Sequence, residues 1–177
     1  MGLAILERIN HRIAERIDEF KEFFKRDGVM SISDYLDPRL VLFLESEKRD
    51  EALLELVALL NDTSKLKSAE LFYQALQKRE QFLSTGIGLG VAIPHAKLEG
   101  YDTFFIAIGI HKKGIEWNAL DGAPVRLIFM IGGPDNQQTE YLKILSLLTM
   151  AIKNEERRKK MIKATSAQEV LELFASC

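Results

Sequence analysis

The sequence predicts an α/β fold, a three-layer α/β/α domain around a small mixed sheet, with an amphipathic helix in front of it. Three observations carry this. From Ser31 onward, apolar runs of strand length alternate with segments of helical period. Two helical segments separate the first strand from the second, whereas the later strands follow through short links, which favours a mixed over a purely parallel sheet. The length, 177 residues, suits one domain with an appendage better than two domains.

Along the chain, Leu6, Ile9, Ile13, Ile17, Phe20 and Phe24 form one apolar stripe of a helix that ends near Asp27-Gly28. Its remaining faces carry six basic and six acidic residues. Such a stripe could pack on its own domain or on a second copy, making a homodimer through residues 1–30. Arg16 interrupts a strict heptad and weakens the coiled-coil version. Leu40 to Leu44 reads as a buried strand, and residues 47–61 and 68–83 as helices. Val91-Ala92-Ile93, Phe104 to Ile110 and Val125 to Ile131 are strand-length runs bounded by Gly, Pro, Asp or Asn. Helices follow at about 137–152 and 155–163. A last one starts at Ser166, with Glu169 completing a capping box. The domains are thus a helical extension, 1–30, and an α/β domain, 31–177.

Composition excludes several functions. Lys and Arg number 24 against 26 Asp and Glu, a net charge of −2, so no role rests on bulk electrostatics such as non-specific nucleic-acid binding. The 47% hydrophobic content and four prolines speak against disorder. No apolar run reaches the ~18 residues of a membrane span. The first residues turn charged at Glu7 and lack a secretory pattern, so a cytoplasmic protein without direct membrane insertion is expected. Cys177, the single cysteine, leaves no internal disulfide and no cysteine-based zinc site.

The stretch from Ser84 to Lys97, STGIGLGVAIPHAK, carries the chemistry. Its alternate glycines are not a dinucleotide fingerprint, because a helix precedes them and a strand follows. No Gly-Lys-Ser/Thr closes the segment, so it is no Walker loop either. It offers free backbone N–H groups around Gly86, Gly88 and Gly90, leading into a strand that ends at His95. Pro94 fixes its own φ and biases Ile93 to extended geometry. A histidine held there suits a metal ligand, a general base or a phosphorylated nucleophile, or it is a structural loop residue. A metal needs partners, and only His11 and His111 remain, without a His-x-x-x-His pair. No Gly-x-Ser-x-Gly elbow supplies a nucleophile for a base.

Arg79-Glu80, Ser84 to Gly88 and Val91-Ala92-Ile93-Pro94-His95-Ala96 together resemble the active-site signature of the IIA domains of the bacterial phosphoenolpyruvate-dependent phosphotransferase system, in the fructose/mannitol and nitrogen-regulatory branch. Ile115 to Val125, IEWNALDGAPV, is similar to that family's second diagnostic loop. The resemblance spans about 31–177 and is nearer the nitrogen-regulatory type. It implies that His95 accepts a phosphoryl group on Nε2 from a small histidine phosphocarrier protein and passes it to a IIB component or a regulatory target, with no cofactor and no metal. It implies that Arg79 stands beside the phosphate. The Thr85 hydroxyl and the N–H groups of Gly86 and Gly88 are then expected phosphate donors.

One position departs from the family. A second histidine, in a His-Leu pair, usually opens the following long helix, and here the pair is Tyr141-Leu142. Tyrosine can donate a hydrogen bond to a phosphate oxygen but cannot become a cation near neutral pH. The alternatives are a sugar-transport component donating to a IIB protein and a regulatory binding module with weak or no transfer. His111, before Lys112-Lys113-Gly114, reads as an exposed structural turn residue, and Trp117 as a loop aromatic open to solvent. The cluster Arg157-Arg158-Lys159-Lys160 follows Glu155 and Glu156 at spacing four, so ion pairs account for part of it.

Overall fold

A computed structural model describes residues 31–177; the predicted helix over 1–30, and with it the dimer reading, lies outside the described residues. Two 3-10 turns, Ile32–Tyr35 and Pro38–Leu40, lead into β1 (Val41–Phe43). Two helices follow, α1 (Arg49–Asp62) and α2 (Ala69–Phe82). Next come β2 (Gly86–Gly88), β3 (Val91–Ala92), β4 (His95–Leu98), β5 (Phe105–Ile115) and β6 (Val125–Pro134). The chain closes with α3 (Gln138–Lys153), α4 (Glu155–Lys163) and α5 (Ala167–Glu172).

The sheet runs β1-β5-β6-β3-β2, with β4 also on β6. It is mixed as expected: β1 lies parallel to β5, β3 and β4 parallel to β6, while β5/β6 and β2/β3 are antiparallel. In effect β3 and β4 are one strand along β6, broken at Ile93-Pro94. Pro94 has no N–H for the ladder, yet its carbonyl still accepts from the Ile131 N–H at 2.9 Å.

Both faces are covered. Side chains two apart on a strand share a face. Phe104, Ile106, Ile108 and Ile110 therefore turn one way, onto Ile144, Leu148 and Ile152 of α3, Met161 of α4 and Val170 of α5. Phe105 and Ala107 turn the other way, with Ile128 and Met130, onto Leu53, Leu56 and Leu60 of α1 and Phe72 and Leu76 of α2. Close layer packing fixes Gly132: a Cβ there would meet the Phe105 ring at 2.3 Å.

Several expectations are corrected. The first strand is three residues long because Leu40 closes a 3-10 turn. Two short strands, β2 and β4, form where only loop was read, and β4 begins at His95 rather than ending there. β5 continues past its apolar run through a register shift between Ile110 and Ile115. His111 is consequently inside a strand and 6% exposed, with Nδ1 accepting from the Gly114 N–H at 2.8 Å. Trp117 is 1% exposed. At α5, Ser166 accepts from the Glu169 N–H, but the Glu169 carboxylate reaches back to Thr165, one residue earlier than a capping box requires. No helix among the described residues is long and apolar enough to cross a membrane.

Candidate active site

His95 sits where the break at Pro94 ends and β4 begins. Its Nδ1 lies 3.0 Å from the Ile93 carbonyl oxygen, and Nε2 lies 3.2 Å from Arg79 Nε. A carbonyl can only accept and a guanidinium only donate, so the two contacts select one neutral tautomer: hydrogen on Nδ1, lone pair on Nε2. Burial lowers the His95 pKa below the usual 6.5; the Ile93 carbonyl opposes this, and the charges of Arg79 and Lys97 reinforce it. Near pH 7 the ring is therefore neutral.

Arg79 comes from the last turn of α2, where its Nη1 also donates to the Leu83 carbonyl at 2.7 Å, tying the guanidinium to its own helix end. Tyr141, in the first turn of α3, presents its ring 5.6 Å from the imidazole and stacks on Phe104 at 6.1 Å. Burial pushes its pKa up to about 12, against the pull of Arg79, so the phenol keeps its proton. Lys97, two residues beyond His95 on β4, places Nζ 4.4 Å from the centre of the Tyr141 ring and donates to Gln138 Oε1. An open cleft of about 640 Å³ is lined by α2 and β4, including Lys78, Arg79, Phe82, His95 and Lys97.

The sequence-predicted residues thus divide. His95, Arg79 and Tyr141 come together. Thr85 is buried and otherwise engaged: its hydroxyl donates to Glu80 Oε2 at 2.5 Å and accepts from Trp117 Nε1 at 3.2 Å, while its N–H meets Glu80 Oε1 at 2.9 Å. Gly86 gives its N–H to Ser84 Oγ, and a Cβ there would lie 2.8 Å from Ala119. Gly88 and Gly90 adopt left-handed φ of 95° and 73°, which lets β2 and β3 turn back on each other. This hairpin is held by Asp121, whose Oδ2 accepts from the Leu89 N–H. Thr85 is thus committed to Glu80 and Trp117 and the Gly86 N–H to Ser84, and none of Thr85, Gly86 and Gly88 lines the cleft.

Glu80 and Lys97 are what sequence reasoning missed. Glu80 is 6% exposed, and next to Arg79 on a helix the two must point to different sides. Its place beside Arg79 in the signature, five residues before a threonine hydroxyl, was the available signal for it. Lys97 was legible through strand periodicity, sharing a face with His95.

The basic cluster is structural for the most part. Arg157 and Arg158 donate to carbonyls at the end of α3, Arg157 also to the Leu173 carbonyl, and Lys159 pairs with Glu155 and Glu156.

Residues 34–177 match the family "Phosphoenolpyruvate-dependent sugar phosphotransferase system, EIIA 2". The chain belongs to that family. EIIA domains are phosphotransfer components of the phosphotransferase system, and the chain is similar to members named for sugars and for nitrogen regulation alike. The fructose-specific EIIABC component of Bacillus subtilis (strain 168) is 34% identical over 146 residues, which are 82% of this chain and 23% of that protein. The chain spans less than a quarter of the length of that multidomain relative. The fructose-specific EIIA component of Haloferax volcanii is 32% identical over 148 residues, covering 83% of this chain and 96% of the relative. Among solved structures, the nitrogen regulatory protein IIA-Ntr of Neisseria meningitidis superposes with a TM-score of 0.74 at 32% identity, over 81% of this chain and 99% of that one.

Proposed function

We propose that this EIIA domain accepts a phosphoryl group on His95 Nε2 from a phosphorylated small histidine carrier protein and hands it to a second protein. The observation that carries this reading is the pair of contacts fixing the tautomer: Nδ1–H on the Ile93 carbonyl, and the Nε2 lone pair turned to Arg79 on the cleft side. In the transfer the Nε2–P bond forms as the donor's N–P bond breaks, and the donor imidazole leaves with the electron pair. Charge spreads over the three phosphoryl oxygens, so the domain's work is positioning and electrostatic stabilisation. The Arg79 Nε–H, now on the nitrogen lone pair, passes to a phosphoryl oxygen. Tyr141 packs the imidazole in place. The step needs no metal and no organic cofactor, since the donor is itself a phosphoprotein. Partners approach across the open cleft, where Phe82 is 88% exposed and Leu83 also faces solvent.

The Ser84-Thr85-Gly86-Ile87-Gly88 opening favours a nitrogen-regulatory role, with a regulatory target as the recipient. The fructose-specific names of two relatives support the second reading, a sugar-transport component donating to a IIB protein. Residues 31–177 are the phosphotransfer domain in either case. The reaction belongs in the cytoplasm with its phosphoprotein donor.

The test is intact mass after incubation with phosphoenolpyruvate, the general phosphotransfer enzyme and the histidine carrier. One acid-labile phosphate is expected, absent in a folded His95→Ala protein. Retention of the label by His95→Ala would overturn the site. Chasing the labelled protein with a IIB protein separates the two readings.

A further inference from the structure

We propose that Lys97, seated on the face of Tyr141, is the second cation of the phosphoryl site, and that Tyr141 is its platform. The inference rests on His95 being the acceptor and goes beyond that by naming what answers the charge that Arg79 leaves unmet. A phosphoryl group brings negative charge on three oxygens. Arg79 offers it one edge, because Nη1 is committed to the Leu83 carbonyl while Nε faces the imidazole.

Lys97 shares the His95 face of β4, lines the same cleft, and its charge acts on His95. Its ammonium is held by an aromatic face at 4.4 Å and by the amide oxygen of Gln138. Neither partner carries a charge, and among the described residues no carboxylate pairs with Lys97. The cation is positioned without being neutralised. Tyr141, in turn, is fixed by the Phe104 ring behind it. A platform of this kind explains how a tyrosine serves where a titratable histidine would supply charge directly: the ring orients a permanent cation.

The test uses the full chain and two phosphoryl donors, the phosphorylated histidine carrier and phosphoramidate. With the latter, Nε2 attacks phosphorus, the phosphoramidate P–N bond breaks, and ammonia leaves with the bonding electron pair, while Nδ1 keeps its proton on the Ile93 carbonyl. Lys97→Met is expected to slow labelling from both donors about tenfold to a hundredfold. Lys97→Arg restores most of the rate. Tyr141→Phe, which keeps the ring face, loses less than Tyr141→Leu, which falls to the Lys97→Met level. The double variant Lys97→Met/Tyr141→Leu is no slower than either single change, because both remove one device. A fold check by thermal melting accompanies each.

Nuclear magnetic resonance titration of His95 gives a readout that needs no donor: Lys97→Met raises its pKa, and Lys97→Arg leaves it in place. Parental labelling rates in Lys97→Met, or a Tyr141→Phe loss as large as that of Tyr141→Leu, would overturn the role of Lys97 and leave His95 as acceptor. A parental protein labelled by neither donor would overturn the acceptor reading and this inference with it.

Discussion

Two halves of one short signature do different work. Ser84 to Gly90 is construction: the Thr85 hydroxyl is spent on Glu80 and Trp117, the glycines close a hairpin, and Asp121 holds its tip. His95 to Lys97 is chemistry: an imidazole with one nitrogen locked and the other on the cleft side, and a lysine two residues on. Thr85 and His95 are ten positions apart in sequence, yet only His95 lines the cleft, while the Thr85 hydroxyl is engaged by Glu80 and Trp117. Arg79 and Glu80 repeat the division within one helical turn, the arginine toward the cleft and the carboxylate buried. Proximity in a motif is therefore no guide to a shared role; what separates the two halves is where each polar hydrogen goes.

The construction side breaks hardest at Thr85. Thr85→Val keeps the shape but leaves Glu80 Oε2 and Trp117 Nε1 buried without their partner. A loss of about 2–3 kcal/mol is expected, since a buried carboxylate loses a charge-assisted bond. Urea unfolding measures it. Phosphate uptake per folded molecule should be unchanged. Full stability with reduced uptake would put Thr85 back among the phosphate donors and erase the division.

On the chemistry side the next largest effect belongs to Arg79. Arg79→Lys preserves a charge but gives up the planar edge that reaches Nε2 and Leu83 together. Phosphotransfer from the carrier should slow about tenfold, with the melting temperature nearly unmoved, because removing one interaction confined to the transition state costs at least that much. Stopped-quench labelling reads the rate. A loss of stability with an unchanged rate would assign Arg79 to construction.

Much of the fold was legible because its central strands are buried on both faces, leaving nearly continuous apolar runs in β5 and β6. β2 and β4 were not, being three and four residues long and rich in glycine or bounded by proline. His111 was misplaced for a related reason: the strand outlasts its apolar run through a bulge, and exposed Lys112 and Lys113 mask the continuation. Trp117 was misplaced because its partner, Thr85, lies 32 residues away. Within the site, His95 and Arg79 could be read from residue type and spacing. The carbonyl that fixes the tautomer could not, although it is only two residues from His95, because it depends on the break at Pro94. Glu80 and the lysine-on-tyrosine arrangement are products of tertiary packing.

The smallest effect is the pH dependence of the imidazole, and it tests whether the cleft is as dry and as positive as the contacts require. Burial, with Arg79 and Lys97, depresses the His95 pKa below 6.5 in the folded protein. Uptake of phosphate should therefore be flat above pH 7 and decline below 6.5, as the Nε2 lone pair is lost to a proton. Stability carries the same sign. Between the unfolded pKa of about 6.5 and the lower folded value, the unfolded chain binds more protons, so stability falls as pH falls through that window. Above it His95 contributes no slope. In His95→Gln the slope over that window should shrink by the contribution of one group, read from urea midpoints at pH 7.5 and at about pH 5. An unchanged slope would mean the imidazole titrates as it does in water, and the cleft would then lack the burial and charge that set it apart from the hairpin behind it.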